Sequence, residues 1–217
     1  TQSIVVSGSP LDGKSIRTLH ERADGWPAAV TLMLEHIKRN GADNWDISSG
    51  SLETVFHFFA NEFFNTLPET TQDFLLMTAL FSHITPTLAE QLSGNPEAGS
   101  ILTDLHRRHF FTHLRDLEEI SYQYHALFRE FLLARAEETY TRDQYLALTS
   151  RAGRLLNERH RSEEAVILYL RAQDWETAIP LLLGQSPLLL AQGRAQILAG
   201  WLKQIPEKLI VATPWLL

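Results

Sequence analysis

The chain has 217 residues, a net charge of −7 and no cysteine, which excludes a disulfide framework and any thiolate metal site. Its apolar content of 44% suits a folded protein rather than a disordered one, and no apolar run approaches the ~20 residues of a membrane span. Residues 1–142 carry 11 Lys+Arg against 19 Asp+Glu and residues 143–217 carry 8 against 7, so neither part has the basic face of a nucleic-acid reader.

The lack of cysteine fits a reducing, cytoplasmic compartment, and Ile4-Val5-Val6 is too short for the apolar core of a signal peptide. Thr1 at the start and the apolar ending Pro214-Trp215-Leu216-Leu217 predict a piece of a longer protein. The first motif is Gly8-Ser9-Pro10-Leu11-Asp12-Gly13-Lys14-Ser15, which matches the phosphate-loop pattern letter for letter. In such a loop Gly8 and Gly13 let the backbone wrap phosphates, Lys14 reaches the terminal phosphate and Ser15 holds magnesium. The surroundings oppose that reading, because no later apolar strand ends in an acidic residue and the remainder reads as helical. The competing reading is a turn followed by a helix N-terminus.

Residues 14–22 read as a short helix that stops at Asp24-Gly25, and Pro27 opens the next, which carries Val30, Met33, Leu34 and Ile37. Residues 41–51 are polar and read as a surface connection. Ser51 then caps a helix whose core stripe is Phe56, Phe59 and Phe63, with Phe58 and Phe64 off the stripe and free to meet a neighbouring domain. Further helices open at Pro68-Glu69, Thr85-Pro86 and Pro96-Glu97. Phe110–Leu114 and Ile120–Tyr124 alternate and are rich in aromatics, so they predict a β-hairpin across a polar turn. A closing helix follows, with Phe128, Phe131, Leu132 and Ala136 facing inward. Helices, a hairpin and a closing helix predict a winged-helix domain over 52–140. From residue 143 the pattern becomes helical pairs, at about 143–158, 162–172 and 174–184, with Gly193 between two later helices. Ala165, Ala172 and Ala178 are small enough to let helices approach closely, so 143–217 predicts the start of a helical solenoid.

Two histidine patterns carry chemistry. His125 directly precedes the closing helix, where unpaired backbone N–H groups favour anions, so it is a candidate phosphate contact. Its alternative role is a histidine satisfied by a backbone carbonyl. His106, His109 and His113 would share one helical face, but the helix breaks near Phe110 and no carboxylate completes a metal shell, so no metal is expected. Paired carboxylates such as Glu118-Glu119 point apart and form no catalytic dyad, and no Gly-x-Ser-x-Gly elbow is present, so no catalytic residue is assigned.

In order along the chain stand Gly25-Trp26-Pro27-Ala28, Phe74-Leu75-Leu76, Tyr122-Gln123-Tyr124-His125-Ala126-Leu127-Phe128-Arg129-Glu130-Phe131-Leu132, Ala172-Gln173-Asp174-Trp175 and Trp201-Leu202-Lys203-Gln204-Ile205-Pro206. This ordered set resembles the large LuxR-type, MalT-like ATP-dependent transcription regulators, which are signal-transduction ATPases. The resemblance implies a mainly α chain: the end of the ATPase helical domain (1–45), a winged helix (52–140) and the start of a tetratricopeptide-like sensor (143–217). It implies that Gly25, Trp26 and Pro27 pack near adenosine and that His125 contacts the β-phosphate of ADP. It implies ATP or ADP with magnesium in the parent protein, and no cofactor held by this fragment alone. The implied partners are an upstream nucleotide-binding domain of the same chain and an inducer or regulatory protein on the solenoid. DNA would be met only through a further C-terminal domain. The expected role is a regulatory fragment that couples nucleotide state to inducer sensing. The alternatives are an interaction scaffold with no nucleotide role and an NTPase working through the Gly8–Ser15 loop.

Overall fold

A computed structural model describes residues 52–108, 110–116 and 119–212, together with a two-residue hairpin of β1 (Val5–Val6) and β2 (Ser9–Pro10). Within the candidate phosphate loop, Ser9-Pro10 is paired antiparallel onto Val5-Val6. The rest of that loop, including Gly8, Gly13, Lys14 and Ser15, lies outside the described residues, as do Gly25, Trp26, Pro27 and the helices expected over 14–37.

The described chain is mainly helical. Four helices come first: α1 (Leu52–Asn65), α2 (Glu69–Thr78), α3 (Pro86–Ser93) and α4 (Ala98–Arg107). Their boundaries follow local chemistry. Thr85 caps α3 by accepting from the Leu88 N–H at 3.2 Å, with Pro86 in the first turn, where its missing N–H costs nothing. Gly94 ends the same helix in the left-handed conformation at φ 71°, which a side chain would strain.

The hairpin follows, with β3 (Thr112–Asp116) and β4 (Ile120–Tyr124) antiparallel and Thr112 opposite Tyr124. Ile84 adds a single-residue third edge, exchanging two 2.8 Å backbone hydrogen bonds with Tyr122. The strand begins two residues later than the alternation predicts. The Phe110 N–H is spent closing α4 on the Leu105 carbonyl at 2.9 Å, and Phe111 turns left-handed at φ 47°. Burial holds that strained turn: Phe111 stacks on Phe128 at 4.6 Å, and Phe110 packs on Phe63 at 4.4 Å.

Helix α5 (Ala126–Thr139) buries Phe128, Phe131, Leu132 and Ala136, the stripe its sequence predicts. Phe64 departs from expectation. It is buried in the same core, edge-on to Phe131 at 5.9 Å, one turn after the buried Ala60 and so on the same helical face. In the middle of this core the Tyr124 hydroxyl bonds to Thr78 Oγ1 at 2.8 Å. Thr78 in turn donates to the Phe74 carbonyl at 2.7 Å, so the phenol is the donor to Thr78. Burial pushes the Tyr124 phenol above its ordinary range.

Five helices complete the chain: α6 (Arg142–Asn157), α7 (Ser162–Arg171), α8 (Trp175–Ala191), α9 (Ala195–Leu202) and α10 (Glu207–Ala212). A capping box formed by Thr141 and Gln144 starts α6. Asp174 starts α8 by accepting from the Thr177 N–H, and its other oxygen accepts from Ser150 of α6 at 2.7 Å. Helix α8 runs well past residue 184, through Pro180 and Pro187. Both prolines are exposed, and the Ser186 hydroxyl donates to the Leu183 carbonyl that Pro187 cannot serve.

Helix α7 packs between α6 and α8. Ala165, Ala172 and Ala178 are buried at these contacts, and the Tyr169 ring lies over Gly153 of α6. A Cβ at Gly153 would stand 3.2 Å from that ring. Gly153→Val overfills the crossing and is expected to cost about 1–3 kcal/mol in urea unfolding. An unchanged midpoint would mean that the α6–α7 crossing is looser than described.

Candidate functional site

His125 stands where β4 ends and α5 begins, at the N-cap position. Its backbone N–H donates to the Phe111 carbonyl at 2.7 Å, and its carbonyl accepts from the Arg129 N–H at 2.9 Å. The backbone is therefore fixed from both sides, and the left-handed turn at Phe111 is what aims that carbonyl. The imidazole is half-buried, with the His113 ring of β3 at 6.3 Å between centroids. Burial first, and His113 second, hold the His125 imidazole below its usual value of 6.5, so it is neutral at pH 7. A neutral ring on a fixed backbone can donate or accept one hydrogen bond without bringing a charge.

The other histidines do not converge. His106 Nδ1 meets the Thr112 carbonyl at 3.1 Å, which makes that nitrogen the donor, and His113 is exposed on the hairpin. His109 lies outside the described residues. Among the described residues no three His, Asp or Glu side chains gather as metal ligands.

The largest polar construction lies one turn beyond His125 and was not visible in the sequence. Arg129 turns back onto the end of α2. Its Nε donates to the carbonyls of Ala79 at 2.8 Å and Phe81 at 3.2 Å, and its Nη2 donates to Leu80 at 3.1 Å. Ala79 caps α2 and Leu80 and Phe81 follow it, so these carbonyls of buried residues lie just past the helix end, beside the negative pole of its dipole. Burial, then the nearby Arg171, work against the Arg129 charge, and Glu164 leads the groups that offset them.

Around that seat the helical pair grips the winged helix. Arg161 makes a two-point ion pair with Glu164 at 2.7 and 2.8 Å and donates to the His83 carbonyl at 3.2 Å. The Ser82 hydroxyl donates to the same Glu164 carboxylate. Burial raises the Glu164 pKa, but Arg161 and Ser82 outweigh it and hold the carboxyl below its ordinary value. On the next face, Arg151 donates to the Gln91 carbonyl and Arg159 to its side-chain oxygen, each at 2.6 Å. Four side chains of α6, α7 and the loop between them thus hold the α2–α3 loop and the end of α3. Among the described residues no helix is long and apolar enough to cross a membrane.

Comparison with known proteins agrees with this geometry. Residues 60–144 match the family described as the MalT winged helix domain. The HTH-type transcriptional regulator MalT of Vibrio cholerae is 24% identical over 208 residues, covering 94% of this chain and 23% of that protein. The serine/threonine-protein kinase PknK of Mycobacterium tuberculosis is 24% identical over 208 residues, covering 94% and 19%. The HTH-type transcriptional regulator AlkS of Pseudomonas putida is 26% identical over 199 residues, covering 89% and 21%. The chain is a distant, partial match to MalT- and AlkS-type regulators, with a winged-helix region, and it spans less than a quarter of each relative's length.

The lowered His125 pKa has a defined consequence. A base depressed in the folded state binds fewer protons there than in the unfolded chain. Its contribution to stability is whole above the usual value of 6.5 and is lost as the pH falls through the folded value. The denaturant midpoint is expected to drop on acidification from pH 7 to below 6. His125→Gln should flatten that drop, and His113→Gln should flatten it less. Identical pH profiles for the wild type and His125→Gln would remove the assignment.

Proposed function

We propose that this chain is a binding and relay module of a transcription regulator, acting through contacts rather than catalysis. In this reading 1–45 closes a preceding helical domain, 52–140 is the winged helix and 143–217 begins a tetratricopeptide-like sensor. The observation that carries the reading is the clamp of Arg161, Glu164, Arg151 and Arg159 on the loop that Arg129 seats and on the end of α3. It fixes the winged helix to the first helical pair through directed, charge-assisted bonds, so a displacement of either is felt by the other. The run Gly153-x-x-Leu156, then Ala165-x-x-x-Tyr169, supports the repeat assignment, since it keeps the small and large positions of that motif. The relatives support a module as well. Two are transcriptional regulators and one is a kinase, so a segment common to all three suits a shared relay better than a single chemistry.

A second reading adds nucleotide sensing. In the parent protein His125, with Gly25, Trp26 and Pro27, would meet ADP or ATP with magnesium held by an upstream domain. An inducer would act on the solenoid, and DNA would be met by a further domain. The fixed, neutral His125 at the start of α5 favours it, because backbone N–H groups at a helix start accept an anion. A third reading keeps the Gly8–Ser15 loop as a phosphate site, with Lys14 as its essential group.

Two experiments on the full-length regulator separate these. Replacing Arg151, Arg159 and Arg161 by Ala should shift basal reporter activation by at least about fivefold, the low end of ordinary coupling energies. An unchanged response in a folded variant would sink the relay. His125→Ala should weaken ADP retention and raise basal activation if nucleotide sensing holds. Unchanged retention leaves the scaffold reading alone. Nucleotide binding lost only in Lys14→Ala would favour the third.

A further inference from the structure

The winged helix carries a groove that the clamp does not use. It is a cavity of about 560 Å³ between α2 and the turn from α3 to α4. Phe74 and Met77 form its floor, and Asp73 on α2 faces Glu97 on the turn across it. Both carboxylates are exposed, Asp73 lies beside the Tyr140 hydroxyl, neither makes an ion pair among the described residues, and no Lys or Arg is among the described residues that line the groove. The wall formed by the turn is stiff. Asn95 Oδ1 accepts from the Glu97 N–H at 2.9 Å, Ser93 Oγ accepts from the Asn95 N–H at 3.1 Å, and Gly94 supplies the left-handed step. A preformed wall lowers the ordering cost of binding.

Apolar floor, facing carboxylates and no competing cation describe the complement of one side chain. A long basic residue lays its methylene stem on apolar surface and keeps its charge at the rim. A methionine floor adapts to the stem, and a guanidinium, planar and weakly hydrated, reaches two carboxylates better than an ammonium does. We propose that this groove docks an extended, arginine-bearing segment of a partner protein, with the arginine stem on Met77 and its head between Asp73 and Glu97. The groove shares no residue with the clamp or with His125. Its failure would leave the relay and nucleotide readings where they stand.

The chain offers a direct reporter, because Met33 and Met77 are its only methionines. The 217-residue protein is labelled at the methionine methyls and titrated with acetyl-Leu-Arg-Leu-amide. The Met77 methyl resonance is expected to move and saturate at millimolar peptide or below. Acetyl-Leu-Glu-Leu-amide should leave it in place. Asp73→Asn with Glu97→Gln should weaken the arginine peptide by roughly fivefold or more. Both changes are isosteric and exposed, and Glu97→Gln alone gives a second reading if the pair fails to fold. A stationary Met77 signal, equal shifts from both peptides or undiminished affinity in the variants would each overturn the proposal. So would equally tight binding of acetyl-arginine methylamide, which would mark a small-cation site instead.

Discussion

A half-buried guanidinium bonded to three backbone carbonyls sets the arrangement of the described chain. Helix α2 ends inside the protein, and the chain leaves it through the buried residues Ala79, Leu80 and Phe81, whose carbonyls need donors there. Leaving them bare would cost on the order of 1–3 kcal/mol each. Arg129 supplies donors to Ala79, Leu80 and Phe81, and it can do so only if α5 crosses that end at one place. The position of α5 then fixes His125 four residues earlier, the stack of Phe128 on Phe111, and the hairpin bonded to both. It also brings the loop after α2 to the surface that α7 covers, where Ser82 and His83 meet Glu164 and Arg161.

Much of this was legible in the residues. The stripe of α5 has helical spacing, and Thr85-Pro86 and Pro96-Glu97 mark helix starts that the structure keeps within a residue or two. The pairing of Ile120–Tyr124 with a preceding strand was also readable. The differences have physical causes. Phe110 and Phe111 look like strand residues because they are aromatic, yet one N–H closes a helix and the next residue turns left-handed, so tertiary packing overrides propensity. Phe64 was placed off the core because the stripe was counted from Phe56, Phe59 and Phe63, whereas Phe64 follows the buried Ala60 by one turn and meets Phe131. The helix expected to end near residue 184 continues to Ala191, because Pro180 and Pro187 lie on an exposed face and a serine hydroxyl covers the Leu183 carbonyl that Pro187 frees.

The candidate site divides the same way. That His125 begins a helix was visible, because a local pattern sets it. The clamp was not, because its bonds join residues roughly fifty to eighty positions apart and a surface arginine has the same letter as a buried one. The Thr141-Gln144 capping box was in plain view and announces the start of the helical pair that the clamp holds. The winged helix offers a fixed histidine, an acidic groove and a polar seat for the following helices, and the proposed relay rests on that seat.

The claim beneath these readings is that the winged helix and the α6–α7 pair open together because Arg161, Glu164, Arg151 and Arg159 hold the loop that Arg129 seats at the end of α2, and the end of α3. Native-state hydrogen exchange on the wild type and Arg129→Met tests it most directly. Coupling predicts that amides in the last turn of α2 and in α7 share one opening free energy in the wild type and lose protection together in the variant. Loss confined to α2, with α7 protected as before, would contradict it.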